Sequence, residues 1–395
     1  MKVAYLGPFL NSKLRPFIDT LSEEDCKKSP GMGGYGLIEL VEERLKRKQE
    51  TVVITLDTNL NNEQIIRKGD FCSLYGFPKR KNKSLRDLFA VERSQILDAI
   101  KDSKPVLIHS HWTTEYSLAA LKVKIPTVIT AHDHPADILK YIGFKYLPFY
   151  LLSNHIIKNA RFITAVSPYV LDYIRTKRNI GYEMIPNPVP QELFDYSKNQ
   201  IKNYGHEKPI ITSVLDWNEL KNPKNAILGF NLILEKYPDA QLHLIGSGMG
   251  KNEQCEQWCI KNKKEQNIIF HGKVNNDFLR KHLEISTILL HTSRTEACSM
   301  IIAESMALGL PIIGGINSGG VPWQLNNGNA GLLTDINDPI EIAKTIHKLL
   351  DSETLRQKLG TAANIQSEKL FNPGLINQKW ESLYTNRIKE FYESK

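Results

Sequence analysis

The sequence lacks the features that mark several large classes of protein. No apolar run approaches the roughly 18 residues of a membrane-spanning helix, and the run from Met1 to Leu6 is too short for the core of a signal peptide. The cysteines at positions 26, 72, 255, 259 and 298 are odd in number and lack CxxC spacing. We therefore expect a cytoplasmic protein in a reducing compartment, with neither a disulfide framework nor a zinc site.

The composition is that of a globular protein. The chain has 395 residues, of which 41% are hydrophobic and 24% are charged. These proportions exclude wholesale disorder and collagen-like repetition. The length exceeds that of one small module and predicts two domains of ordinary size.

The excess of positive charge lies in the first half of the chain. The net charge is +8: residues 1–190 hold 28 Lys and Arg against 20 Asp and Glu, whereas residues 191–395 hold 23 of each. Such an excess suits a polyanion, an anionic membrane or a merely solvated basic face. Nucleic acid fits poorly, because the sequence shows no basic strand interleaved with aromatics and no helix-turn-helix, and its second half is neutral.

The apolar pattern alternates short strands with amphipathic helices in two series. The strands are bounded by Gly, Pro or Asp, and the helices carry charged outer faces. This alternation predicts the α/β class, with two doubly wound halves. The predicted strands are Lys2–Leu6, Thr51–Leu56, Val106–His109, Thr127–Ala131, Phe162–Ala165, Ile210–Val214, Gln241–Ile245, Ile268–Phe270, Ile288–His291 and Pro311–Gly314. The predicted helices are Tyr35–Lys48, Leu85–Ile100, Ala226–Lys236, Phe278–His282, Met300–Leu308 and Ile340–Leu350.

A proline-rich run divides the two series. Three prolines between Pro186 and Pro190 cannot continue a helix or a central strand, so they indicate a stiff connector. The polar stretch Lys198–Lys208 is interpreted as the remaining linker. We therefore predict domains at residues 1–190 and 191–374, followed at 375–395 by a C-terminal helix. That helix, Leu375–Tyr392, is long enough to cross back to the first domain.

Two glycine-rich loops are candidates for phosphate binding. The loop with Gly33 and Gly34 immediately precedes a predicted helix, whose N-terminus offers free N–H groups and a partial positive charge. Gly246 follows a predicted strand, at the end where doubly wound folds bind ligands. The first loop is neither a Walker loop nor a regular GxGxxG motif, and the second is similarly ambiguous. A flexible turn therefore stays an alternative for both.

The segment 296–311 is the most informative in the chain. Ser299 is a suitable N-cap for the predicted helix Met300–Leu308, with Glu296 in the loop before it and Glu304 inside it. A helix that starts between two carboxylates can hold a diphosphate at its tip, with one acid on each side for hydroxyl groups. Two glutamates eight residues apart are also commonplace, so a structural role stays open.

This segment resembles the signature of the retaining GT-B glycosyltransferases of family 4. The resemblance rests on Glu296 and Glu304, the following Ala-Leu-Gly-Leu-Pro-Ile-Ile-Gly, and Ser318-Gly-Gly. Matching pieces continue, in order and spacing, over nearly the whole chain. They are the early Gly-Gly loop, Ile108–Trp112, Val128–Asp133, Ala165–Ser167, Ile185–Asn187, Lys221–Asn222, Ala240–Gly248, Phe270–Gly272 and Gly331–Leu333. The resemblance implies a GT-B fold, in which two Rossmann-like domains face a cleft, the first binding the acceptor and the second the donor.

The resemblance also implies roles for single residues. Lys221 corresponds to the lysine that contacts the donor diphosphate, Glu296 to the residue that holds the donor sugar, and Glu304 to the one that binds the ribose hydroxyls. His132 resembles the histidine on the acceptor side of the cleft. The predicted catalytic residues are His132, Lys221 and Glu296, and the predicted donor-binding residues are Gly33, Gly34, Gly246, Lys273, Arg294, Ser299, Met300 and Glu304.

The chain departs from the family pattern in three places. Asp216 and Leu215 stand where an arginine usually precedes the lysine, so one cation that would stabilise the leaving diphosphate is missing. We expect Arg294 or Lys273 to replace it. The other departures are Ser299, in place of the usual glycine, and Trp323, in place of a glutamate that commonly follows Gly-Gly.

The implied reaction moves a hexose or hexose derivative from a nucleoside-diphosphate sugar to a hydroxyl of a glycan or a polyprenyl-linked acceptor. The resemblance implies retention by front-face substitution, in which the leaving phosphate takes the acceptor proton, and it implies no metal or other cofactor. His109 with His111, and His132 with His134, share strand faces, but no cysteine or carboxylate completes a metal site there. The alternatives are a non-catalytic sugar-nucleotide-binding protein of this fold and a soluble sucrose- or glucan-synthase-type enzyme.

Family analogy places the reaction in the assembly of a bacterial surface polysaccharide such as O-antigen, capsule or lipopolysaccharide. Polyprenyl-linked acceptors lie at an anionic membrane, where each nearby basic residue contributes about 1 kcal/mol. The basic runs Lys79–Lys83 and Arg44–Lys48 both lie in the predicted acceptor domain. We therefore predict peripheral attachment to the inner face of the cytoplasmic membrane through that domain.

Overall fold

The chain folds into two units in the computed structural model, which describes residues 1–31, 33–81, 84–199, 204–205 and 207–393. Unit 1 comprises residues 1–188 and 373–395, and unit 2 comprises residues 189–372. Each change of unit lies two residues before the boundary predicted from the sequence. The polar stretch predicted as a linker begins inside a helix, since Lys198 belongs to Gln191–Asn199, and positions 200–203 and 206 of that stretch lie outside the described residues.

Unit 1 contains an eight-stranded sheet. Its strands are β1 (Val3–Leu6), β2 (Thr51–Asp57), β3 (Ile65–Lys68), β4 (Cys72–Pro78), β5 (Leu107–His111), β6 (Thr127–Ala131), β7 (Ile163–Ala165) and β8 (Tyr182–Met184). Their order is β3-β4-β2-β1-β5-β6-β7-β8, and all neighbours are parallel except β3 and β4. The α-helices before residue 188 are α1 (Glu23–Lys28), α2 (Tyr35–Lys46), α3 (Ala90–Ser103), α4 (Glu115–Ala120), α5 (Pro135–Ile142), α6 (Leu147–Asn159) and α7 (Pro168–Arg175), with 3-10 turns at Asn11–Phe17, Ser84–Asp87 and Phe144–Tyr146.

The sheet of unit 1 is covered on both faces, which explains its apolar strands. Val3 and Tyr5 of β1 pack into one hydrophobic core, and Ala4 and Leu6 pack into another on the opposite face. The five predicted strands of this unit are confirmed to within two residues at each end. The predicted helix Leu85–Ile100 is wrong in its first turns: the chain makes a 3-10 turn and then adopts positive φ at Leu88 and Phe89 before α3 starts.

Unit 2 contains a six-stranded parallel sheet. Its strands are β9 (Ile210–Val214), β10 (Gln241–Ile245), β11 (Ile268–Gly272), β12 (Ile288–His291), β13 (Ile312–Gly315) and β14 (Leu332–Thr334), in the order β11-β10-β9-β12-β13-β14. Its α-helices are α8 (Gln191–Asn199), α9 (Pro223–Ile233), α10 (Gln254–Asn262), α11 (Asn276–Ile285), α12 (Met300–Ala307), α13 (Val321–Gln324), α14 (Pro339–Leu350) and α15 (Glu353–Phe371), with a 3-10 turn at Asn326–Gly328. All five predicted strands are confirmed, so the predicted α/β class with two parallel-sheet domains is correct.

The last helix, α16 (Pro373–Glu393), belongs to unit 1, as the predicted return of the chain required. It packs on α2 and buries Trp380 and Tyr384. Arg44 of α2 has a fully buried side chain, which forms an ion pair with Glu381 of α16. A charge taken out of water needs such a partner, so this pair fixes where α16 docks.

We expect Arg44→Met to weaken the docking of α16 by roughly 3 kcal/mol, because breaking a buried ion pair leaves its partner uncompensated. Hydrogen exchange of peptides from α2 and α16, followed by mass spectrometry, measures the loss. Arg47→Met is the matched control on the same helix: Arg47 pairs with Glu43 at 2.6 Å, but its side chain is 44% exposed, and an exposed pair contributes at most about 1 kcal/mol. Equal protection in the two variants would show that the buried pair is dispensable.

Candidate active site

One pocket in unit 2 lies beyond the carboxyl ends of its strands. It follows β9 and β12 and reaches the start of α12, the place where doubly wound sheets bind ligands. Its volume is about 280 Å³. We call it the α12 pocket, and its lining residues are Val214, Leu215, Asp216, Lys221, Gly246, His291, Glu296, Cys298, Ser299, Met300 and Ile301.

A charged cluster centred on Glu296 forms one wall of the α12 pocket. The Nζ of Lys221 lies 2.6 Å from the Oε1 of Glu296, and the Nε2 of His291 lies 3.1 Å from the same oxygen. Burial alone would raise the pKa of Glu296, but the charge of Lys221 and the hydrogen bond from His291 outweigh it and hold that pKa below its ordinary value. Glu296 is therefore ionised at neutral pH, and it holds Lys221 at the pocket wall.

The N-terminus of α12 forms the floor of this pocket. Ser299 is the N-cap, with its side chain accepting from the N–H of Ile302 at 3.5 Å. Gln324 fixes the cap: its Oε1 accepts from the N–H of Ser299 at 2.8 Å, and its Nε2 donates to the Ser299 carbonyl at 2.9 Å. Met300 and Ile301 also line the pocket, so the free N–H groups of the first turn suit an anion.

Gly246 closes the pocket on the side of β10. Its φ is 140°, and a Cβ atom there would lie 2.0 Å from the carbonyl oxygen of Leu215. Only glycine fits this close approach. Asp216 accepts a hydrogen bond from the N–H of Ser247 at 2.8 Å, which ties the two loops together. The acid that replaces the expected arginine therefore shapes the pocket wall and adds no positive charge.

The pocket brings together five of the predicted site residues and leaves out three from the same unit. Lys221, Gly246, Glu296, Ser299 and Met300 line it, whereas Glu304, Lys273 and Arg294 do not. His291 and Cys298, which the sequence did not single out as binding residues, do line it. The place of His291 as the last residue of a buried strand was the available signal, because ligands bind at such strand ends.

The two cations expected to replace the missing arginine do not line the α12 pocket. Arg294 lies 3.8 Å from Glu219, and its Nη2 donates to the Oδ1 of Asn222 at 3.4 Å. Lys273 is exposed just after β11. Among the described residues that line the α12 pocket, Lys221 is the only lysine or arginine. The structure therefore gives no support to the expectation that Arg294 or Lys273 supplies a second cation.

Glu304 sits inside α12, beyond the part of the helix that lines the pocket. Within the described part of the chain, its side chain forms neither a hydrogen bond nor an ion pair. Burial raises the pKa of Glu304 to about 7. Glu304 and Glu296 therefore hold different protonation states near neutrality, because only Glu296 has a cation beside it.

Unit 1 has its own cluster at the end of β6, centred on His132. The ring of His132 stacks on Trp112 with 4.2 Å between centroids, and its Nε2 lies 2.8 Å from the Nδ1 of His111. Burial lowers the pKa of His132 to about 3, so the imidazole is neutral. Gly34 adjoins the same indole, since a Cβ there would lie 3.0 Å from Trp112 and 2.5 Å from the carbonyl oxygen of Pro8.

The remaining sequence candidates in unit 1 have simpler roles. A Cβ on Gly33 would meet only Tyr35, at 3.6 Å, so packing does not require a glycine there. His109 has both ring nitrogens in hydrogen bonds, to Tyr384 at 2.7 Å and Thr130 at 2.6 Å. His134 caps α5 by accepting from the N–H of Asp137. Both nitrogens of His109 are therefore used within the fold, and His134 serves as the N-cap of α5.

Several cations of the basic runs predicted to face a membrane form ion pairs within unit 1. Arg44 is buried with Glu381, and Lys79 pairs with Glu115 at 2.6 Å. Arg80 pairs with Asp87 at 2.7 Å and with Glu92 at 2.6 Å. Asn82 and Lys83 lie outside the described residues. Arg44, Lys79 and Arg80 are therefore paired with acids inside unit 1, and electrostatic attachment to a membrane through that unit stays a prediction.

A different surface of unit 1 exposes large apolar side chains. In the segment 140–151, Phe144 is 87% exposed and Leu151 is 59% exposed, with Lys140 and Lys145 beside them. We call this segment the Phe144 surface. Within the described residues, every helix is too short or too polar to span a lipid bilayer.

Two family profiles match the sequence, one in each half. The profile described as Glycosyltransferase Family 4 matches residues 34–193, and that described as Glycosyl transferases group 1 matches residues 197–366. Among curated proteins, the chain is 25% identical over 301 residues to N-acetyl-alpha-D-glucosaminyl L-malate synthase of Bacillus anthracis, covering 72% of this chain and 75% of that protein. It is also 25% identical over 259 residues to the capsular polysaccharide biosynthesis glycosyltransferase CapM of Staphylococcus aureus, covering 63% and 67%.

Solved structures share the fold across the whole chain. Sucrose-phosphate synthase from Thermosynechococcus elongatus superposes with a TM-score of 0.77 at 16% identity, covering 100% of both chains. HepE of Anabaena, solved in complex with UDP-glucose, gives a TM-score of 0.70 at 16% identity, also covering 100% of both. WaaG, described as a glycosyltransferase involved in lipopolysaccharide biosynthesis, gives 0.69 at 13% identity, covering 95% of this chain and 98% of that one.

Proposed function

The chain belongs to the group 1 glycosyltransferases of family 4, and from this premise we propose a retaining transfer of a hexose or hexose derivative. The donor is a nucleoside-diphosphate sugar, and the acceptor is a hydroxyl group of a glycan or a polyprenyl-linked sugar. The observation that carries the proposal is the Lys221–Glu296 ion pair, 2.6 Å long, at the N-terminus of α12. Lys221 and the dipole of α12 offer positive charge to a diphosphate, and Glu296 offers a carboxylate to sugar hydroxyls.

The donor occupies the α12 pocket with its diphosphate at the first turn of α12. Lys221 and the free N–H groups near Met300 neutralise the phosphates, and Glu296 accepts hydrogen bonds from the hydroxyls of the transferred sugar. Glu304, farther along α12, accepts hydrogen bonds from the ribose hydroxyls. UDP-glucose bound to HepE, a protein of the same fold, supports uridine nucleotides as the first donors to test.

Bond making and breaking take place on one face of the sugar. The acceptor oxygen forms its bond to the anomeric carbon as the bond from that carbon to the leaving phosphate oxygen breaks. The acceptor proton passes to the departing phosphate, so no protein base is needed. Lys221 and the α12 dipole stabilise the charge that develops on the diphosphate, and this step uses no metal ion.

Unit 1 provides the acceptor site through Gly34, Trp112 and His132. The indole of Trp112 offers an apolar face for a sugar ring, and the neutral imidazole of His132 exchanges hydrogen bonds with hydroxyl groups. The Nε2 of His132 is already bonded to His111, so its Nδ1 is the atom left for a hydrogen bond to an acceptor hydroxyl. We therefore propose that unit 1 binds the acceptor and unit 2 binds the donor.

One experiment separates this reaction from its alternatives. Incubating the protein with a panel of nucleotide sugars, and then with candidate acceptors, measures release of nucleoside diphosphate, while NMR reads the anomeric configuration of the product. Release with retention supports the proposal. Binding without release for every acceptor favours the non-catalytic alternative, and transfer to fructose 6-phosphate or a soluble glucan favours the synthase alternative.

We also propose that the enzyme works at the inner face of the cytoplasmic membrane in surface polysaccharide synthesis, docking through the Phe144 surface. This segment joins exposed apolar side chains to lysines, the composition of an interfacial anchor. CapM, a relative in capsular polysaccharide biosynthesis, supports the setting. Attachment by apolar contact with help from lysine differs from the purely electrostatic attachment expected from the basic runs.

Co-sedimentation with vesicles of phosphatidylglycerol and phosphatidylcholine tests this docking. We expect the double change F144D and L151D to lower the bound fraction at least about tenfold, because burying one such side chain contributes about 1.5–3 kcal/mol. Ile180→Asp is the control, since Ile180 is 79% exposed elsewhere in unit 1. Equal sedimentation of the double variant and wild type would remove the Phe144 surface from the proposal.

A further inference from the structure

Three histidines from separate elements of unit 2 meet in one cluster. They are His243 of β10, His271 of β11 and His282 of α11, and one ring nitrogen of each lies within 4.8 Å of the others. His243 and His282 are buried, and His271 is partly exposed. None of the three lines the α12 pocket, so a ligand at the cluster does not rest on the proposed function.

The hydrogen bonds around His243 orient its ring as they do in metal sites. Its Nε2 lies 3.1 Å from the Oε1 of Gln241, which can only accept, so the Nε2 carries the proton. The Nδ1 of His243 then presents its lone pair to the Nε2 of His271, 2.9 Å away. A partner outside the ligand shell that fixes the tautomer of a histidine is the usual accompaniment of metal ligation.

His282 supplies the second, independent observation. Its side chain is among the buried polar groups, with 6% of the residue exposed, and its Nε2 has no hydrogen-bond partner among the described residues. Buried polar atoms nearly always have a hydrogen-bond partner. An imidazole nitrogen without one, beside two other imidazoles, therefore indicates a bound ligand. A cation in the cluster would give that nitrogen its partner.

The fold holds the three rings in place before any ion binds. The register of β10 and β11 passes from Leu244↔Phe270 to Ile245↔Gly272, which leaves His271 out of the ladder. An extra residue of this kind redirects its side chain. The ring of Phe278 contacts His271 and His282, with centroids 5.3 Å and 5.7 Å away. Little ordering therefore remains to be done when a ligand arrives.

We propose that His243, His271 and His282 bind one divalent transition-metal ion, with Zn²⁺ as the best fit. Neutral imidazole nitrogens suit Zn²⁺, Cu²⁺ and Ni²⁺, and they are poor ligands for Mg²⁺ or Ca²⁺. Zn–N bonds of about 2.0–2.1 Å put two tetrahedral ligands about 3.4 Å apart, so side-chain shifts of about 1 Å close the cluster. On binding, the neutral ring of His271 changes tautomer: its Nε2 loses a proton to solvent and its Nδ1 takes one up, so the Nε2 lone pair is free for the ion.

The role that follows is structural. His271 precedes Gly272, whose carbonyl accepts a hydrogen bond from the N–H of Gly246 at 2.9 Å. Gly246 lines the α12 pocket. An ion on His271 would therefore join the ends of β10 and β11 to α11 and steady the loop behind the pocket. Because the ion would bind the folded protein only, it would raise the melting temperature.

Metal titration of the full-length protein tests the site. The protein is prepared without a polyhistidine tag, stripped with EDTA and titrated with Zn²⁺ or Co²⁺, while metal content, melting temperature and the Co²⁺ spectrum are recorded. We expect one tightly bound ion, a higher melting temperature and a Co²⁺ spectrum without a thiolate band. Failure to bind either ion, or a thiolate band from a cysteine site, overturns the proposal.

The variant His282→Leu separates the loss of a metal ligand from a loss of folding stability. Loss of a partner outside the ligand shell already lowers metal affinity about 10–100-fold, so losing His282 itself should weaken Zn²⁺ binding at least about 100-fold. The metal-free melting temperature should not fall, because leucine replaces a buried nitrogen that has no partner. His271→Asn, at the partly exposed ligand, should also weaken binding, whereas His155→Asn on the surface of α6 should bind like wild type. Unchanged affinity in both ligand variants refutes the site.

Discussion

Lys221→Met is expected to lower the release of nucleoside diphosphate about 10²–10³-fold, the usual cost of removing one donor that stabilises a developing anion. Lys221 is the only lysine or arginine among the described residues lining the α12 pocket, so no neighbouring side chain replaces its charge. The same change removes the ion pair that lowers the pKa of Glu296. Initial rates at saturating donor measure the effect on kcat.

Two further lysine variants make this result specific. Lys224→Met is the matched control, because Lys224 lies three residues further along, in α9, its side chain is 45% exposed, and it pairs with Glu219 at 3.4 Å. It should turn over like wild type. Lys273→Met tests the sequence-based alternative, and we expect nearly normal turnover because Lys273 does not line the pocket. A large loss in Lys273→Met, or none in Lys221→Met, would overturn this assignment.

The pairing of Lys221 with Glu296 adds a second readout. The double variant K221M/E296Q should lose less activity than the two single variants predict when their losses are added. Each single change already breaks the same ion pair, so the second change removes little more. Additive losses would mean that the two side chains act on the donor independently. The non-additive term therefore distinguishes a positioned pair from two separate contacts.

Glu304→Gln is expected to change stability and donor binding in opposite directions. The pKa of Glu304 is about 7 in the folded protein, against 4.5 for an ordinary glutamate. The folded state therefore holds this proton more tightly than the unfolded state, so wild type loses stability as pH rises from about 4.5 through about 7. Glutamine has no such cost, and the gain at pH 8 is at most about 3 kcal/mol.

Donor affinity should fall in the same variant. Ribose hydroxyls donate to a carboxylate, and a hydrogen bond to a charged group contributes about 1.5–3 kcal/mol, so the affinity for a nucleoside diphosphate should drop about tenfold or more. Melting curves of E304Q and wild type at pH 5 and pH 8, with calorimetric titration of UDP at pH 8, measure both effects. Glu235→Gln, an exposed change in the same unit, is the control. A stability difference that does not grow with pH would contradict the raised pKa of Glu304.

The secondary structure of this protein followed from local pattern wherever a strand was central and buried. Ile210–Val214, Gln241–Ile245 and Ile288–His291 are bounded in the structure as predicted, because each is an apolar run with clear ends. The strands that were not predicted lie at sheet edges or next to them. Ile65–Lys68 is an example: it pairs on one side only and carries polar residues, so no apolar run marks it.

The site followed from sequence where its parts are close along the chain. Glu296, Ser299 and Met300 share one loop and helix start, so their spacing alone placed them at one pocket. The partners of Arg294 lie on another loop, and nothing in the sequence indicated that this side chain turns to Glu219 and Asn222. The expectation of no zinc site rested on cysteine spacing. The sequence does not show that His243, His271 and His282, which lie on three separate elements, come together in the fold.

The sequence by itself determined the α/β class, the two parallel-sheet domains, the family and the local frame of the α12 pocket, because periodicity and motif spacing are written in neighbouring residues. The tertiary structure decided which charges are available. It buried Arg44 against Glu381, paired Arg80 with Asp87 and Glu92, and left Lys221 as the cation of the pocket. The reason is physical: a charge acts through what surrounds it, and residues distant along the chain supply most of those surroundings.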